Sequence, residues 1–215
     1  SFTAPTDTGT SAITGFVATA STGVGATGSS SPISVSSLTL GTAVTFRAYA
    51  INAYGTSAAS DATDSITPAA GRGLFAGGEN GSGTSNVIDF IVIATTGNAS
   101  DFGDRTIAGD SPAGVSSSTR GVFAGGASTN VIDYVTIASE GNATDFGDLT
   151  ANLRRGKGVG NSTRGCIGGG EYSGSGSNRI EYITIASTGN ATDFGNLSQG
   201  REHIAGGVNS STRGV

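Results

Sequence analysis

Acidic residues recur at one position of a repeated 20-residue block and are the first candidates for chemistry. Asp89, Asp133 and Glu181 each stand fourth in their copy of the block. Two carboxyl groups can hydrolyse a glycosidic bond when their surroundings keep one of them protonated. An active site would have to break the symmetry of the repeat, whereas these acids follow it. The sequence therefore favours a shared structural hydrogen bond at this position over catalysis.

A second set of acids belongs to a phrase that occurs three times, Asp-Phe-Gly, beginning at Asp101, Asp145 and Asp193. The same phrase holds metal in protein kinases, but a kinase site also needs a glycine-rich nucleotide loop, which is absent here. Asp104 and Asp148 follow the phrase in two copies, and paired carboxylates suit calcium. Asn196 replaces the acid in the third copy. We interpret the phrase as a structural turn, with calcium binding as the open alternative.

Nucleophilic catalysis has little support among the residue types. His203 is the single histidine, and no nucleophile elbow accompanies it. Cys166 is the single cysteine, so no intrachain disulfide can form, and it takes the position of Leu74 and Val122 in the other repeats. It is predicted to be a small buried hydrophobe. The glycine-rich loops lack the lysine and helix of a phosphate cradle, so no cofactor is expected.

The composition favours an all-β chain. Its 215 residues include 37 glycines, many serines and threonines, and few helix formers. The net charge is -5, and the one basic run, 154–157, is too short for extensive phosphate contacts. The start at Ser1 resembles neither a signal peptide nor a membrane anchor, and it looks cut. Nucleic acid binding and membrane insertion are therefore not expected.

The first third of the chain is predicted to form short strands at Ile13–Ala20, Ile33–Leu38, Ala43–Tyr54 and Ala62–Thr67. It resembles a fibronectin type III domain in the order and spacing of four phrases: Thr3-Ala4-Pro5, Ile13-Thr14-Gly15-Phe16, Leu38-Thr39-Leu40-Gly41-Thr42 and Ala50-Ile51-Asn52-Ala53-Tyr54-Gly55. The resemblance implies a β-sandwich of about seven strands. Residues 1–68 hold fewer, so we expect an N-terminally incomplete sandwich.

From residue 72 the chain is repetitive. Three blocks align without a gap, at 86–105, 130–149 and 178–197, and each follows an arginine and an apolar stretch that ends in a glycine pair. Within a block, a β-branched and aromatic run predicts a covered strand, and the Gly-Asn pair predicts a turn. We expect a linker at 69–71 and four short strands in each of the repeats 72–119, 120–163 and 164–212, with a fourth copy starting at Arg213.

The order of glycine pair, hydrophobic-acidic-aromatic strand, aromatic after a turn, and arginine resembles a kelch repeat over residues 71–215. This resemblance implies four-stranded blades of a β-propeller, of which about four to eight usually form a ring. About three blades make an incomplete ring, so either more blades follow or several chains combine. The phrases Gly-Asn-Ala-Thr-Asp-Phe-Gly-Asp and Ser-Ser-Thr-Arg-Gly are also similar to repeat proteins of marine bacteriophages, including cyanophages, that are tail or fibre components.

The loop between the glycine pair and the block varies in length, at Glu79–Ser85, Ala127–Thr129 and Glu171–Ser177. Variable loops on a fixed scaffold often carry recognition. The candidate ligand-contact residues are Glu79, Asn80, Ser128, Glu171 and Tyr172, with Tyr172 as an aromatic platform and Glu79 and Glu171 as polar handles. The sequence thus predicts a non-enzymatic, structural and adhesive segment of a phage virion appendage, at the virion surface or outside the cell.

The expected partners are copies of the chain, other virion proteins, and a host surface glycan or protein. Two other functions stay open. One is a secreted polysaccharide-active enzyme whose catalytic residues lie outside this sequence. The other is a bacterial extracellular adhesin or a spacer that binds nothing.

Overall fold

The computed structural model describes residues 1–39, 41–68, 70–127, 129–172, 174–204 and 206. This part of the chain is all-β, as predicted, with no helix and 51% strand. Its sheets are antiparallel, and none within the described ranges closes on itself. The chain divides into two compact units, Ser1–Ala70 and Gly71–Val215. In the described ranges no helix is long and apolar enough to cross a membrane.

The first unit contains one four-stranded sheet. Its strands are β1 (Ile13–Ala20), β2 (Gly25–Gly28), β3 (Phe46–Asn52) and β4 (Gly55–Thr56), in the order β2-β1-β3-β4. The turn between β1 and β2 contains Gly23 at φ +88°, a conformation that glycine adopts without steric cost. Phe16 and Val44 are buried, and the Phe2 ring packs on the Phe16 ring with centroids 4.8 Å apart.

Two of the strands predicted in this unit are absent. Residues 33–38 contain no strand, because Ser37 lies in the left-handed region at φ +61° and interrupts the extended run. Residues 62–67 contribute a single bridge, between Val44 and Ile66. Residues 62–67 are also exposed throughout, so the short runs between turn clusters that suggested these two strands do not form paired strands.

The segment after β4 instead runs beside β3 through hydroxyl side chains. Ser57, Ser60 and Thr63 each donate a backbone N–H to a β3 carbonyl at 2.9–3.0 Å. Their hydroxyl oxygens accept the N–H groups of the same β3 residues, which are Ala50, Ala48 and Phe46 respectively. Each hydroxyl also donates to the carbonyl of the residue that follows it. A three-residue spacing of Ser and Thr thus substitutes for a continuous strand ladder.

The second unit contains three repeat sheets. Repeat sheet 1 consists of β5 (Arg72–Ala76), β8 (Val87–Val92) and β9 (Ser100–Asp104), and a separate two-stranded hairpin of β6 (Glu79–Asn80) and β7 (Gly83–Thr84) lies between β5 and β8 in the chain. Repeat sheet 2 consists of β10 (Ala113–Ser116), β11 (Arg120–Ala124), β12 (Thr129–Thr136) and β13 (Thr144–Arg154). Repeat sheet 3 consists of β14 (Lys157–Gly160), β15 (Arg164–Gly168), β16 (Glu171–Tyr172), β17 (Ser175–Thr184) and β18 (Thr192–Arg201).

Repeat sheets 2 and 3 are four-stranded meanders, ordered β10-β11-β12-β13 and β14-β15-β17-β18. Each begins one strand before the arginine that opens the sequence repeat, so the sheets are offset by one strand from the units at 72–119, 120–163 and 164–212. Repeat sheet 1 has only β5-β8-β9. In the described residues β5 has no counterpart of β10 beside it. Pairing of β13 with β16 joins sheets 2 and 3 into nine strands.

The core of this unit lies between successive repeat sheets. One cluster joins Ile88 and Phe102 of repeat sheet 1 to Phe123 and Val135 of repeat sheet 2. A larger cluster joins sheets 2 and 3 and includes Val122, Ile132, Phe146, Leu149, Leu153, Ile167, Ile183 and Ile185. Since no sheet covers its own apolar face, each repeat depends on its neighbour for burial.

Candidate functional site

The recurrent arginine joins each repeat sheet to the next. The Arg120 guanidinium lies 4.2 Å from the centre of the Tyr134 ring in its own sheet, and its Nη1 donates to the carbonyl of Ile185 at 2.9 Å. Arg72 makes the same two contacts, with the Phe90 ring at 4.5 Å and the carbonyl of Ile137 at 3.0 Å. The arginine therefore holds two repeats in register as well as stacking on an aromatic ring.

The Asp-Phe-Gly phrase lies within strands β9, β13 and β18, so its interpretation as a turn was wrong. The carbonyls of Phe102 and Asp104 accept N–H groups of Gly141 and Ala143 in the following repeat, at 2.8 and 2.7 Å. The side chain of Asn142 accepts the N–H of Asp104 at 3.0 Å. The Gly-Asn-Ala turn of each repeat is thus the partner of the strand before it.

The same contacts recur one repeat later. Phe146 and Asp148 accept from Gly189 and Ala191 at 2.7 and 2.8 Å, and Asn190 accepts the N–H of Asp148 at 3.0 Å. The match of atoms and distances in two places shows that this junction is a standard element of the repeat.

Glycine in the Asp-Phe-Gly phrase permits the close approach at this junction. A Cβ on Gly103 would lie 2.5 Å from the carbonyl oxygen of Gly141, and a Cβ on Gly147 would lie 2.5 Å from that of Gly189. Both glycines also have φ near +140°, where other residues are strained. The phrase needs glycine for packing, which is a structural rather than a metal-binding reason.

The acids at the fourth block position form structural hydrogen bonds in repeat sheets 2 and 3, as the sequence indicates. Asp133 is fully buried and accepts from Arg105 Nε at 3.1 Å, and from the N–H and hydroxyl of Thr106 at 3.0 and 2.9 Å. Glu181 is also fully buried, and it accepts from the N–H of Thr150 and lies 3.1 Å from Arg179. Thr106 and Thr150 both belong to the preceding repeat.

Asp89 is the exception at this position. Its side chain is half-buried, and no residue within the described ranges donates a hydrogen bond to it. No repeat precedes repeat sheet 1 to supply the threonine that Asp133 and Glu181 have. Asp89 therefore differs from Asp133 and Glu181 in its hydrogen bonds because of the position of its repeat in the chain, and not because of its local sequence.

The predicted contact loops of repeats 1 and 3 lie around two arginines of repeat 2. The carboxylates of Asp110 first, then Glu171 and Glu79, raise the pKa of Arg154. Arg154 forms a two-pronged ion pair with Asp110, with Nη2 at 2.6 Å and Nε at 2.9 Å. Arg155 pairs with Glu171 at 3.0 Å. Glu171 thus contacts Arg155 directly, whereas Glu79 acts on the charge of Arg154 only from a distance.

The five predicted contact residues differ in accessibility. Glu79 and Asn80 are exposed in the β6–β7 hairpin, and Glu171 is half-buried. Tyr172 is only 9% exposed, and the Arg179 guanidinium covers its ring at 5.0 Å. Burial raises the pKa of Tyr172 to about 12. Ser128 lies outside the described residues.

The remaining candidates for chemistry lie apart from this cluster. Burial raises the pKa of the Cys166 thiol, so the thiolate that a nucleophile needs is disfavoured. His203 is exposed, with its nearest charged contact at 3.8 Å in Glu202. Across the described ranges no three His, Cys, Asp or Glu side chains are grouped so as to hold a metal ion.

The sequence reasoning missed three contributors to the junction. Arg105 pairs with Asp133, but its position holds leucine in the other copies, so no repeat pattern marks it. Thr106 and Thr150 stand just after the aligned block, and a longer alignment that included Ser198 would have revealed a recurrent hydroxyl. No family model matches this chain, and the search of curated proteins found no match.

Proposed function

We propose that this chain is a structural and adhesive segment of a phage virion appendage, a tail fibre or related surface protein, whose repeats present loops to a host surface. One observation carries the proposal: the junctions between repeats are constant in atoms and distances, while the loops after the glycine pairs differ. Those loops are a hairpin in repeat 1, a short connection in repeat 2 and the β16–β17 hairpin in repeat 3. Binding residues commonly lie on such loops.

The finer architecture is part of the same proposal. We assign residues 1–68 to a fibronectin type III-like sandwich and the three repeat sheets to kelch-like blades of an incomplete propeller. Support comes from the four-stranded meanders and from the glycine pairs, which follow the second strand of each meander. Packing of each sheet on its neighbour also agrees with blades around an axis.

The proposed binding surface centres on Glu79 and Asn80, which are exposed in the β6–β7 hairpin, and the charges of Arg154 and Glu171 would extend it. Carboxylate, amide and guanidinium groups supply both hydrogen-bond acceptors and donors, as recognition of glycan hydroxyls or of a polar protein surface requires. The ring of Tyr172 is buried under the Arg179 guanidinium, so we expect it to add little direct contact with a ligand. We therefore expect a polar ligand that binds at the β6–β7 hairpin.

A glycan array made from host-derived polysaccharides tests the proposal with the 215-residue chain. We expect binding that falls at least about tenfold in the double variant E79A/N80A, equivalent to about 1.4 kcal/mol. The matched control is D145A, which removes an exposed carboxylate from β13. A blank array would contradict the proposal and favour a spacer. Cleavage of the polysaccharide would contradict it in favour of an enzyme.

A further inference from the structure

Asn80 and Gly81 form the only Asn-Gly pair of the sequence. They lie at the tip of the β6–β7 hairpin, where a two-residue turn, Gly81-Ser82, joins Asn80 to Gly83. Asn80, Gly81 and Ser82 are all exposed. Water and hydroxide therefore reach both the side-chain amide of Asn80 and the backbone nitrogen that follows it.

The side chain of Asn80 is folded over its own turn. Its Oδ1 accepts the N–H of Ser82, two residues ahead, at 2.8 Å. Such a turn encloses the nitrogen of Gly81, because that nitrogen lies on the main-chain path between the two bonded groups. The side-chain carbon Cγ and the Gly81 nitrogen are thus the two ends of a five-membered ring that needs one new bond.

The hydrogen bond from Ser82 also prepares Cγ for attack. When a nitrogen adds to Cγ, negative charge develops on Oδ1, and a backbone N–H that already points at this oxygen stabilises the charge. The N–H of Gly81 donates to no acceptor among the described residues. The attacking nitrogen therefore loses no hydrogen bond when its proton leaves.

Glycine at position 81 leaves the approach to Cγ open. It has no side chain to crowd its nitrogen, and a Cβ built there would contact nothing within 4 Å. Asn161 provides the contrast within the same chain. It is exposed and its Oδ1 accepts the N–H of Thr163 at 2.9 Å, but the residue after it is Ser162. The Cβ of that serine stands beside the nitrogen that would have to attack.

The asparagines of the two internal junctions, Asn142 and Asn190, are protected in a different way. The nitrogen after each of them, in Ala143 and Ala191, donates to a carbonyl of the preceding repeat at 2.7 and 2.8 Å. Attack by either nitrogen would break a junction hydrogen bond. Asn80 thus combines an exposed amide, an unengaged following nitrogen and a following glycine.

From this geometry we infer that Asn80 is a site of spontaneous deamidation through a cyclic imide formed with Gly81. The Gly81 nitrogen gives its proton to hydroxide and bonds to Cγ of Asn80. The Cγ–Nδ2 bond then breaks, and ammonia leaves with a proton from water, which restores the hydroxide. Water opens the imide at either carbonyl, so the product is aspartate or isoaspartate. One water is gained and one ammonia is lost, and no oxidant is needed.

Either product changes the hairpin. Aspartate replaces an amide, which donates and accepts hydrogen bonds, with a carboxylate that only accepts them, next to Glu79. Isoaspartate also routes the main chain through Cβ, so we expect the pairs Asn80–Gly83 and Glu79–Thr84 to lose their register. The inference does not depend on the proposed host recognition, although the reaction alters a residue proposed for ligand contact.

Timed incubation of the 215-residue chain at mildly alkaline pH, followed by digestion and mass spectrometry, tests the inference. The peptide with Asn80 should gain one mass unit before the peptide with Asn161 does, and it should separate into aspartate and isoaspartate forms. N80D provides the aspartate reference. The rate should rise with pH, because the attacking nitrogen must lose its proton.

The matched variant is G81A, which keeps Asn80 and adds a single methyl group in open space. We expect it to react at least about tenfold more slowly, equivalent to about 1.4 kcal/mol in activation free energy. Its thermal unfolding should match that of the wild type. In the folded wild type, the rate at Asn80 should lie within about tenfold of the rate in the same chain unfolded in urea.

Three results would overturn the inference. One is a folded chain in which Asn80 stays intact while the chain in urea converts it, since the hairpin would then be protective. Another is G81A that reacts as fast as the wild type. The third is equal conversion at Asn80 and Asn161, which share the turn but differ in the residue that follows.

Discussion

Arg105 at the end of repeat sheet 1 and Asp133 in β12 form an ion pair whose two side chains are both fully buried, with Nε 3.1 Å from Oδ1. Asp133 also accepts two hydrogen bonds from Thr106. The pair crosses the boundary between two repeats, so it couples sheets that local sequence alone would not connect. Because both side chains are fully buried, either charge becomes costly once its partner is removed.

Replacing Asp133 with alanine is expected to lower the free energy of unfolding of the second unit by about 3–5 kcal/mol, because Arg105 would stay buried without a counterion. Urea unfolding followed through amide signals of the second unit measures the change. Asp89→Ala is the matched control at the equivalent, half-buried position, and we expect it to cost no more than about 0.5 kcal/mol. Equal effects of the two substitutions would contradict the assigned role of the pair.

Gly147→Ala and Gly195→Ala separate backbone strain from packing at the repeat junction. The two glycines have nearly equal φ, +144° and +140°, so the cost of strain is shared. Only the Cβ at 147 would clash, at 2.5 Å from the oxygen of Gly189. We expect Gly147→Ala to destabilise the second unit by about 1–3 kcal/mol more than Gly195→Ala does. Thermal unfolding at low protein concentration provides the comparison, and no difference would argue against tight packing there.

Acid should weaken the contact between Asp110 and Arg154. The hydrogen bonds from Arg154 lower the pKa of Asp110, so the folded state holds this carboxylate ionised more strongly than the unfolded state does. Its contribution is present above the unfolded pKa of about 3.9 and is lost as pH falls through the lower folded value. The urea midpoint should therefore fall less steeply below about pH 4 in Asp110→Asn than in the wild type. Identical acid profiles would contradict this assignment.

Tyr172→Phe should leave stability unchanged or raise it by up to about 1 kcal/mol, because the buried hydroxyl has no hydrogen-bond partner among the described residues. Burial raises the pKa of Tyr172 to about 12, so its neutral form is favoured in the fold. Stability is then lost as pH rises from about 10, the unfolded value, towards 12. Ultraviolet titration should show an ionisation step near pH 12 that the variant lacks. Its persistence in Tyr172→Phe would disprove the assignment.

Much of the fold could be predicted from the sequence, because composition and periodicity report exposure. Runs of β-branched and aromatic residues predicted the all-β class and the strands β8, β12 and β17. The strand at which each sheet begins could not be predicted. Arg120 opens the sequence repeat, but β10, which precedes it, belongs to the same sheet. Residues 33–38 alternate as a strand does, yet alternation cannot show whether a free strand edge is available for pairing.

The junction was harder to foresee than the sheets. Recurrence identified Asp133 and Glu181 as structural acids, but it could not show that their donors come from the preceding repeat. Arg105 occurs once, so its pairing depends on tertiary structure alone. Tyr172 was interpreted as a platform from its residue type, whereas its burial depends on β16 docking beside β13. The loop contacts themselves stay predictions that only a ligand can test.

The hydroxyl side chains that run beside β3 also protect the sheet of the first unit from pairing with strands of other molecules. Alternate amides of β3, at positions 46, 48 and 50, point to one side of the strand and donate to the hydroxyls of Thr63, Ser60 and Ser57. An edge satisfied in this way offers no continuous row of amides to a foreign strand. Replacing Ser57, Ser60 and Thr63 together with alanine would leave these β3 amides without their hydroxyl acceptors, which would favour fibrous aggregation through this sheet edge.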